Sequence, residues 1–412
     1  MLKKTLFIFV TVWIITRALP VWAQYYDYHR EESPSVSWNN IPMFDARMLA
    51  AGGISLMASE AFSAAINPAI IPETKGILAG ASFQVATYQA FQYWGLNQGV
   101  YYATDPQSQN NNRLSGFTLA FPFKRFSFTG GWVTVNLLEL PTLDFSDGGW
   151  SLKATFPGVE NAIFAAAAFK WGKNISVGIK LDYIFANRKV DIRETWPSFD
   201  PTTYTHRESH RMTCIIPSLG AKIKLSPRWT IGAALIYPLR GKAHRTLDHI
   251  FESPSTHLEI SNLKSTDNFY RPARIYLGAA FTPFAHAHAD TDAPGKNKLT
   301  LAAEILYTAW SGYRYVFYSE TLPRHMRNTL TAALGLEYGI LSAHGDYFLR
   351  LGCRLDPQPV IEPKTTLREL TGGIGFRLGR VSADIGALYC FGSPGGILQK
   401  HFILNSTVQF HW

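Results

Sequence analysis

Apolar and polar residues alternate along most of this chain with a period of two. In residues 174–190, Ile175, Val177, Ile179, Leu181, Tyr183 and Phe185 share one side, and Lys180 and Asp182 share the other. Side chains of a strand alternate between faces, so such a segment has one apolar wall and one polar wall. The same split recurs downstream. Leu299, Leu301, Ile305 and Tyr307 oppose Glu304, while Leu330, Leu334, Leu336 and Tyr338 oppose Glu337. Tyr347, Leu349, Leu351 and Leu355 oppose Arg350 and Arg354, and Val381, Ile385 and Tyr389 oppose Asp384. In the last stretch Phe402, Leu404, Val408, Phe410 and Trp412 oppose His401, Asn405, Thr407, Gln409 and His411; Ile403 and Ser406 break the rule.

The alternation predicts fourteen strands, at 76–92, 113–123, 126–136, 160–170, 174–190, 209–225, 228–240, 271–284, 298–318, 328–339, 346–355, 369–378, 381–391 and 401–412. The connectors are asymmetric. The first, third, fifth and seventh hold about 20, 23, 18 and 30 residues, whereas Lys124-Arg125, Trp171-Gly172-Lys173, Ser226-Pro227 and Gly379-Arg380 are minimal turns. Short turns at one end and long loops at the other mark outer-membrane barrels, which have an even strand count. One connector, AHAHADTDAPGKN, is about 13 residues where a short one is expected. The pattern therefore predicts an all-β fold, a transmembrane antiparallel β-barrel of about 14 strands. Apolar residues face lipid, because a mid-depth Lys or Arg on that face costs about 2–4 kcal/mol. The charges Lys180, Asp182, Glu304, Glu337, Arg350, Arg354 and Asp384 face the lumen and are expected to pair across it, mainly as structural filling. The last strand must close against the first, since an open edge in lipid leaves backbone groups unsatisfied.

Composition agrees with this. Aromatic residues make up 14% and charged residues 17%, against a usual charged share of about 25%. The net charge is +9, with basic residues scattered and no stripe of them, so nucleic acid is not an expected partner. Cys214, Cys353 and Cys390 are an odd number without close spacing, which argues against a disulfide framework and against a zinc site.

The N-terminal part differs. Lys3 and Lys4 precede the apolar run LFIFVTVWII, and Val21-Trp22-Ala23 resembles a cleavage site, so 1–23 is expected to be a signal peptide directing Sec-type export. No later run approaches the roughly 20 apolar residues of a spanning helix. Residues 24–75 lack alternation and are expected to form an N-terminal hatch or plug inside the lumen, with 76–412 as the barrel. A periplasmic extension docked elsewhere is the other reading of 24–75.

Four stretches carry a resemblance to the FadL/TodX family of outer-membrane long-chain fatty acid and hydrocarbon transporters. SEAFSAAINPAIIPE contains Asn67-Pro68-Ala69, similar to that family's hatch motif. RPARIYLGAAF resembles its Pro-then-Leu-Gly strand, and Tyr307-Thr308-Ala309-Trp310-Ser311 resembles its Tyr-Thr-x-Trp-Ser. LTAALGLEYGI with YFLRLGCRLDPQPV is similar to its paired Gly-x-Glu-Tyr and Leu-Arg-x-Gly strands. Phe410 and Trp412 look like the C-terminal signature of outer-membrane proteins. The pattern between 93 and 160 departs from the family, and so does HREESP before the hatch.

The resemblance implies an outer-membrane channel for passive uptake of hydrophobic molecules. The ligand would bind beside the hatch and leave sideways through the wall. Gly130-Gly131 inside strand three is a candidate exit, because interior glycines mark bulges or close approaches; a barrel corner without traffic is the alternative. Tyr93, Trp94, Tyr101 and Tyr102 in the first outer loop are either ligand surface or interfacial belt. Expected partners are a hydrophobic small molecule, outer-membrane lipid and, during insertion, the barrel-assembly machinery; a monomer is expected. A structural or secretion-system barrel that binds protein partners also begins with an Asn-Pro-Ala hatch, and it remains the second reading.

No catalytic residue, metal site or cofactor is expected, and the chain does not read as an enzyme. His286, His288 and Asp290 cluster, but in a turn with Pro294 and Gly295. His206 and His210 have helical spacing in a stretch read as loop entering strand. Gly373-Ile374-Gly375 with Gly379 is a broken dinucleotide pattern without a following helix.

Overall fold

The computed structural model describes residues 44–412 except 71–75, 91–92, 96–100, 104–106, 138–139, 148–149, 157, 197–201, 255–256, 284–296, 313–314, 318–319, 323–325, 360–365 and 392–397. The expected signal peptide, residues 24–43 and the His286-His288-Asp290 turn lie outside the described residues. Among the described residues no helix is long and apolar enough to cross a membrane.

Fourteen antiparallel strands form one closed barrel. In chain order they are β1 (Leu78–Ala90), β2 (Gln107–Phe123), β3 (Phe126–Leu137), β4 (Gly158–Trp171), β5 (Ile175–Trp196) and β6 (Thr202–Lys224). β7 is Trp229–Ile236 continued as Leu239–Glu252, and β8 is His257–Arg271 continued as Arg274–Phe281. β9 (Asn297–Thr308), β10 (Thr329–Ser342), β11 (Gly345–Pro357), β12 (Thr366–Leu378), β13 (Val381–Cys390) and β14 (Leu398–His411) complete the wall. Each strand pairs with its chain neighbours. β14 closes the ring on β1 in a ladder from Leu78↔His411 to Ala90↔Leu398, and the Trp412 N–H donates to the Ile77 carbonyl at 2.9 Å.

The outward face is apolar. Ile179, Leu181, Leu334, Leu349, Leu351 and Ile374 are each more than half exposed. A water-soluble monomer rarely exposes so much contiguous apolar surface; a bilayer solvates it. Aromatics gather at the short-turn end. Phe123 and Phe126 flank the Lys124-Arg125 turn, Trp171 precedes Gly172, and Trp229 stacks 4.5 Å from Phe281. That is the girdle expected at a membrane interface. Gly172 (φ +67°) and Gly379 (φ +56°) occupy turn positions that other residues enter only with strain.

The structure corrects several strand limits. Residues 241–270 were expected as loop, yet they form the outer parts of β7 and β8, paired from Leu239↔Arg271 to Glu252↔His257. The 228–240 strand breaks only at Tyr237-Pro238, and the 271–284 strand only at Pro272-Ala273, where a proline cannot donate to the ladder. β5 and β6 likewise run on through most of 191–208, so His206 lies on a strand, as His210 was expected to, and not in a loop. Beyond the bilayer both faces of a strand meet water or polar neighbours, and the alternation that betrays a strand disappears. The 298–318 strand is shorter than expected: it ends at Thr308 and a 3-10 turn, Trp310–Gly312, follows.

Candidate functional site

Residues 44–70 sit within the ring of strands, and nearly all of them are buried. Asp45 caps the short helix α1 (Ala46–Ala50), accepting from the Arg47 N–H at 2.9 Å and from the Ser59 N–H and hydroxyl at 2.6 and 2.8 Å. Burial pushes the Asp45 carboxyl above its ordinary value, and the Ser59 bonds pull it back. Bonds to the wall then run around the bore. The Ala46 N–H donates to Thr407 Oγ1 on β14 at 2.9 Å, and the Gly52 N–H to Thr371 Oγ1 on β12 at 2.9 Å. Ser55 donates through N–H and hydroxyl to Glu304 on β9. The Ala61 N–H donates to Gln409 Oε1 at 3.0 Å, and Lys180 Nζ on β5 donates to the Ala65 carbonyl at 2.5 Å.

Asn67-Pro68-Ala69 ends this path against β5, β6 and β7. Asn67 Oδ1 accepts from the Ala69 N–H at 3.0 Å, while Nδ2 donates to the Ala221 and Ala233 carbonyls at 3.4 and 3.2 Å. Ser176 Oγ donates to the Ala69 carbonyl at 2.8 Å. The motif thus folds back on itself and spends its remaining donors on the wall. An aspartate could not do the second half of that work.

Glycines let the segment come this close. A Cβ on Gly178 would lie 2.2 Å from the Pro68 carbonyl oxygen, and one on Gly220 2.2 Å from Asn67 Oδ1. Equivalent Cβ atoms would lie 2.4 Å from Gly52 N at Gly352, 2.4 Å from Ala51 O at Gly335, and 2.2 Å from Ala46 O at Gly386. These residues are cross-strand partners in pairs, Gly178↔Gly220 and Gly335↔Gly352, with Gly386 opposite Gly373. The wall is thinned where the segment leans on it. Phe62 is wedged between Gly80 and Gly116, its ring carbons 2.8 Å from where either Cβ would be.

All seven charges expected inside are buried. They pair within their own strand, with adjacent strands and with the inner segment, not across an open lumen. Arg350 donates to Glu337 and Asp384 at 2.7 Å each, and Arg47 from α1 holds Glu337 with two bonds of 2.9 Å. Burial opposes the Arg47 charge, but Glu337 and Asp384 outweigh it and raise the guanidinium above its ordinary value. Lys180 pairs with Asp182 at 2.8 Å, and Arg354 lies 3.6 Å from Glu369. A shallow crevice in this charged region is lined by Arg47, Glu60, Phe348, Arg377, Asp384 and His411, among others.

The other arc of the inner wall is different, and sequence reasoning missed it. Val133, Phe164, Ile184, Ala186, Met212, Ile216, Tyr276 and Leu306, on β3 to β9, form one buried apolar cluster with Phe44, Phe62 and Ile66 of the inner segment. Charges frame this patch on the outer side: Glu160 with Arg271, and Glu208 with Arg245 and His210. The signal was available in YIFA at 183–186 and CIIP at 214–217. There, residues on both faces are apolar and alternation lapses.

At Gly130 and Gly131 the ladder is continuous. Gly130 pairs with Leu119 and Ala165, and Gly131 with Thr118 and Phe164; the register slips four residues further on, between Thr134 and Asn136. Tyr93, Trp94, Tyr101 and Tyr102 lie on a small hairpin above β1, Trp94 opposite Tyr102. Phe410 and Trp412 project outward with rings 6.1 Å apart. Cys214 and Cys390 point inward, Cys353 points outward, and none of the three is in a disulfide.

No protein-family model matches the chain, and no curated protein sequence does. Solved structures do. A Pseudomonas aeruginosa FadL homologue superimposes with a TM-score of 0.62 at 17% identity, covering 91% of this chain and 100% of the other. The Pseudomonas putida toluene transporter TodX gives 0.59 at 14% identity, covering 90% and 99%. The Ralstonia pickettii toluene transporter TbuX gives 0.57 at 15% identity, also covering 90% and 99%. Over the matched nine tenths of its length the chain has the FadL/TodX-type fold.

Proposed function

We propose that this chain is an outer-membrane channel for passive uptake of hydrophobic molecules, long-chain fatty acids or similar compounds. It binds its ligand beside an N-terminal hatch, residues 24–75, and is not an enzyme. The observation that carries this reading is the apolar cluster of the inner wall. One arc, β3 to β9, offers apolar side chains that merge with the hatch residues Phe62 and Ile66. The charges on that arc are paired with one another or bonded to the hatch, as Lys180 is to Asp182 and Glu304 to Ser55, and the Arg47–Glu337–Arg350–Asp384 network lies on the other arc. An alkyl chain gains about 0.8 kcal/mol for each CH₂ it removes from water. Successive apolar sites therefore need no energy source. The ligand would leave sideways near Gly130-Gly131, where the slip after Thr134 already weakens the β3–β4 ladder.

The test is uptake of labelled fatty acids and toluene by Gram-negative cells that lack their own hydrophobe channel and express this protein. Ile216→Asp, which places a carboxylate in the apolar arc, should lower uptake at least about tenfold while the barrel still folds. Failure of the unaltered protein to transport any of these compounds, together with a stoichiometric protein partner on purification, would favour the secretion-type barrel instead.

A further inference from the structure

Glu369 on β12, Cys390 on β13 and His401 on β14 form one row across three adjacent strands. Glu369 is directly opposite Cys390, and Cys390 is directly opposite His401. All three point inward and are almost wholly buried. One carboxylate oxygen, the thiol sulfur and one imidazole nitrogen lie within 4.8 Å of one another, with His401 Nε2 3.7 Å from Glu369 Oε1.

We propose that Glu369, Cys390 and His401 bind a divalent metal ion of borderline softness, such as Zn²⁺, in the inner wall of the barrel. A thiolate, an imidazole and a carboxylate are the donor types such an ion takes, at bond lengths of about 2.0–2.3 Å. Ligand atoms around a tetrahedral ion then lie roughly 3.3–3.6 Å apart. Opposed residues on neighbouring strands start close enough to reach this by small χ adjustments.

The carboxylate supplies a second, independent observation. Glu369 is buried, yet among the described residues neither of its oxygens accepts a hydrogen bond. Its approaches are the longer ones of Arg354 Nε to Oε2 at 3.6 Å and His401 to Oε1 at 3.7 Å. A buried carboxylate needs a close partner. An ion between Glu369, Cys390 and His401 supplies one on the Oε1 side, while Arg354 orients the carboxylate from Oε2, as outer partners of metal ligands do. Leu49, Leu367, Leu388 and Ile403 pack around Cys390 and keep the site dry. Three protein donors leave one tetrahedral position for a further ligand. The ion would staple β12 to β14, the strand that closes the ring on β1.

This departs from the expectation of no metal site, which rested on the number and spacing of the cysteines and on histidine groupings close in sequence, whereas these three ligands come together only through strand register. The test uses the folded full-length barrel in detergent, stripped with chelator and titrated with Co²⁺. One equivalent should bind and give a thiolate-to-cobalt charge-transfer band that Zn²⁺ abolishes. The double variant Cys214→Ser/Cys353→Ser should keep the band, since Cys390 is then the remaining thiol. Cys390→Ser should lose it, and Glu369→Gln and His401→Ala should weaken binding at least about tenfold, each checked for folding by heat-modifiable gel migration. Absence of the band from the folded unaltered protein, its loss in the double variant, or its survival in Cys390→Ser would overturn the proposal. Binding without a thiolate band, for example at His286 and His288, would do the same.

Discussion

At the scale of single residues, period two placed the charges correctly but not their partners. Arg350 was legible as inward because Leu349 and Leu351 flank it. Its partners were not, because Glu337 and Asp384 come from other strands, and Glu337 is shared with Arg47 from a segment without periodicity. Arg350 is 1% exposed and bonded to two carboxylates. Replacing it by methionine keeps the bulk and strands Asp384 without that bond, while Glu337 retains Arg47. Breaking a buried pair from one side costs about 3–5 kcal/mol. Arg350→Met should therefore lower the urea midpoint of the lipid-refolded barrel by that equivalent. A midpoint within error of the unaltered protein would mean that the network contributes nothing to stability.

At the scale of elements, the strands inside the bilayer were legible and their outer continuations were not, since only lipid imposes the alternation. The contact between hatch and wall was illegible for another reason. Gly178, Gly220, Gly335 and Gly352 read one at a time as weak points in strands. Their common role appears only when register sets them side by side against residues 51–69. The close approach has a consequence. A Cβ at Gly178 cannot coexist with the Pro68 carbonyl 2.2 Å away, and backbone on both sides must yield. The barrel ladder holds Gly178 through Gly220 and Ala168, so the hatch is the part expected to shift. Gly178→Ala should give a folded barrel that leaks small hydrophilic solutes, read as faster liposome swelling. Gly372→Ala, at a wall position with room for a Cβ, should stay tight and serves as the control. Equal swelling for both variants would show that the Asn67-Pro68-Ala69 anchorage does not seal the bore.

At the scale of the whole molecule, a ligand that has passed into the apolar arc has two ways on: through the bore, or sideways through β3. The bore is occupied by residues 44–70, bonded to strands all round the ring. Opening it means breaking many bonds together. The wall at β3 is thinner, with no side chain at Gly130 or Gly131 and a register slip beyond Thr134. The two glycines are not equivalent. A Cβ on Gly131 would meet the Phe117 carbonyl oxygen at 2.3 Å, so substitution there disrupts the ladder whatever its effect on traffic. At Gly130 the nearest atom is the Phe164 carbonyl oxygen at 3.4 Å, and alternation with the exposed Phe128 puts this position on the lipid face. Gly130→Leu should therefore fold and insert normally while obstructing a sideways exit. We expect it to lower fatty acid uptake several-fold without affecting solute leakage, and Gly372→Leu, at another open position in the wall, to leave uptake unchanged. Unaltered uptake by folded Gly130→Leu would place the exit elsewhere, and uptake that instead rises with leakage in Gly178→Ala would direct the ligand past the hatch and down the bore.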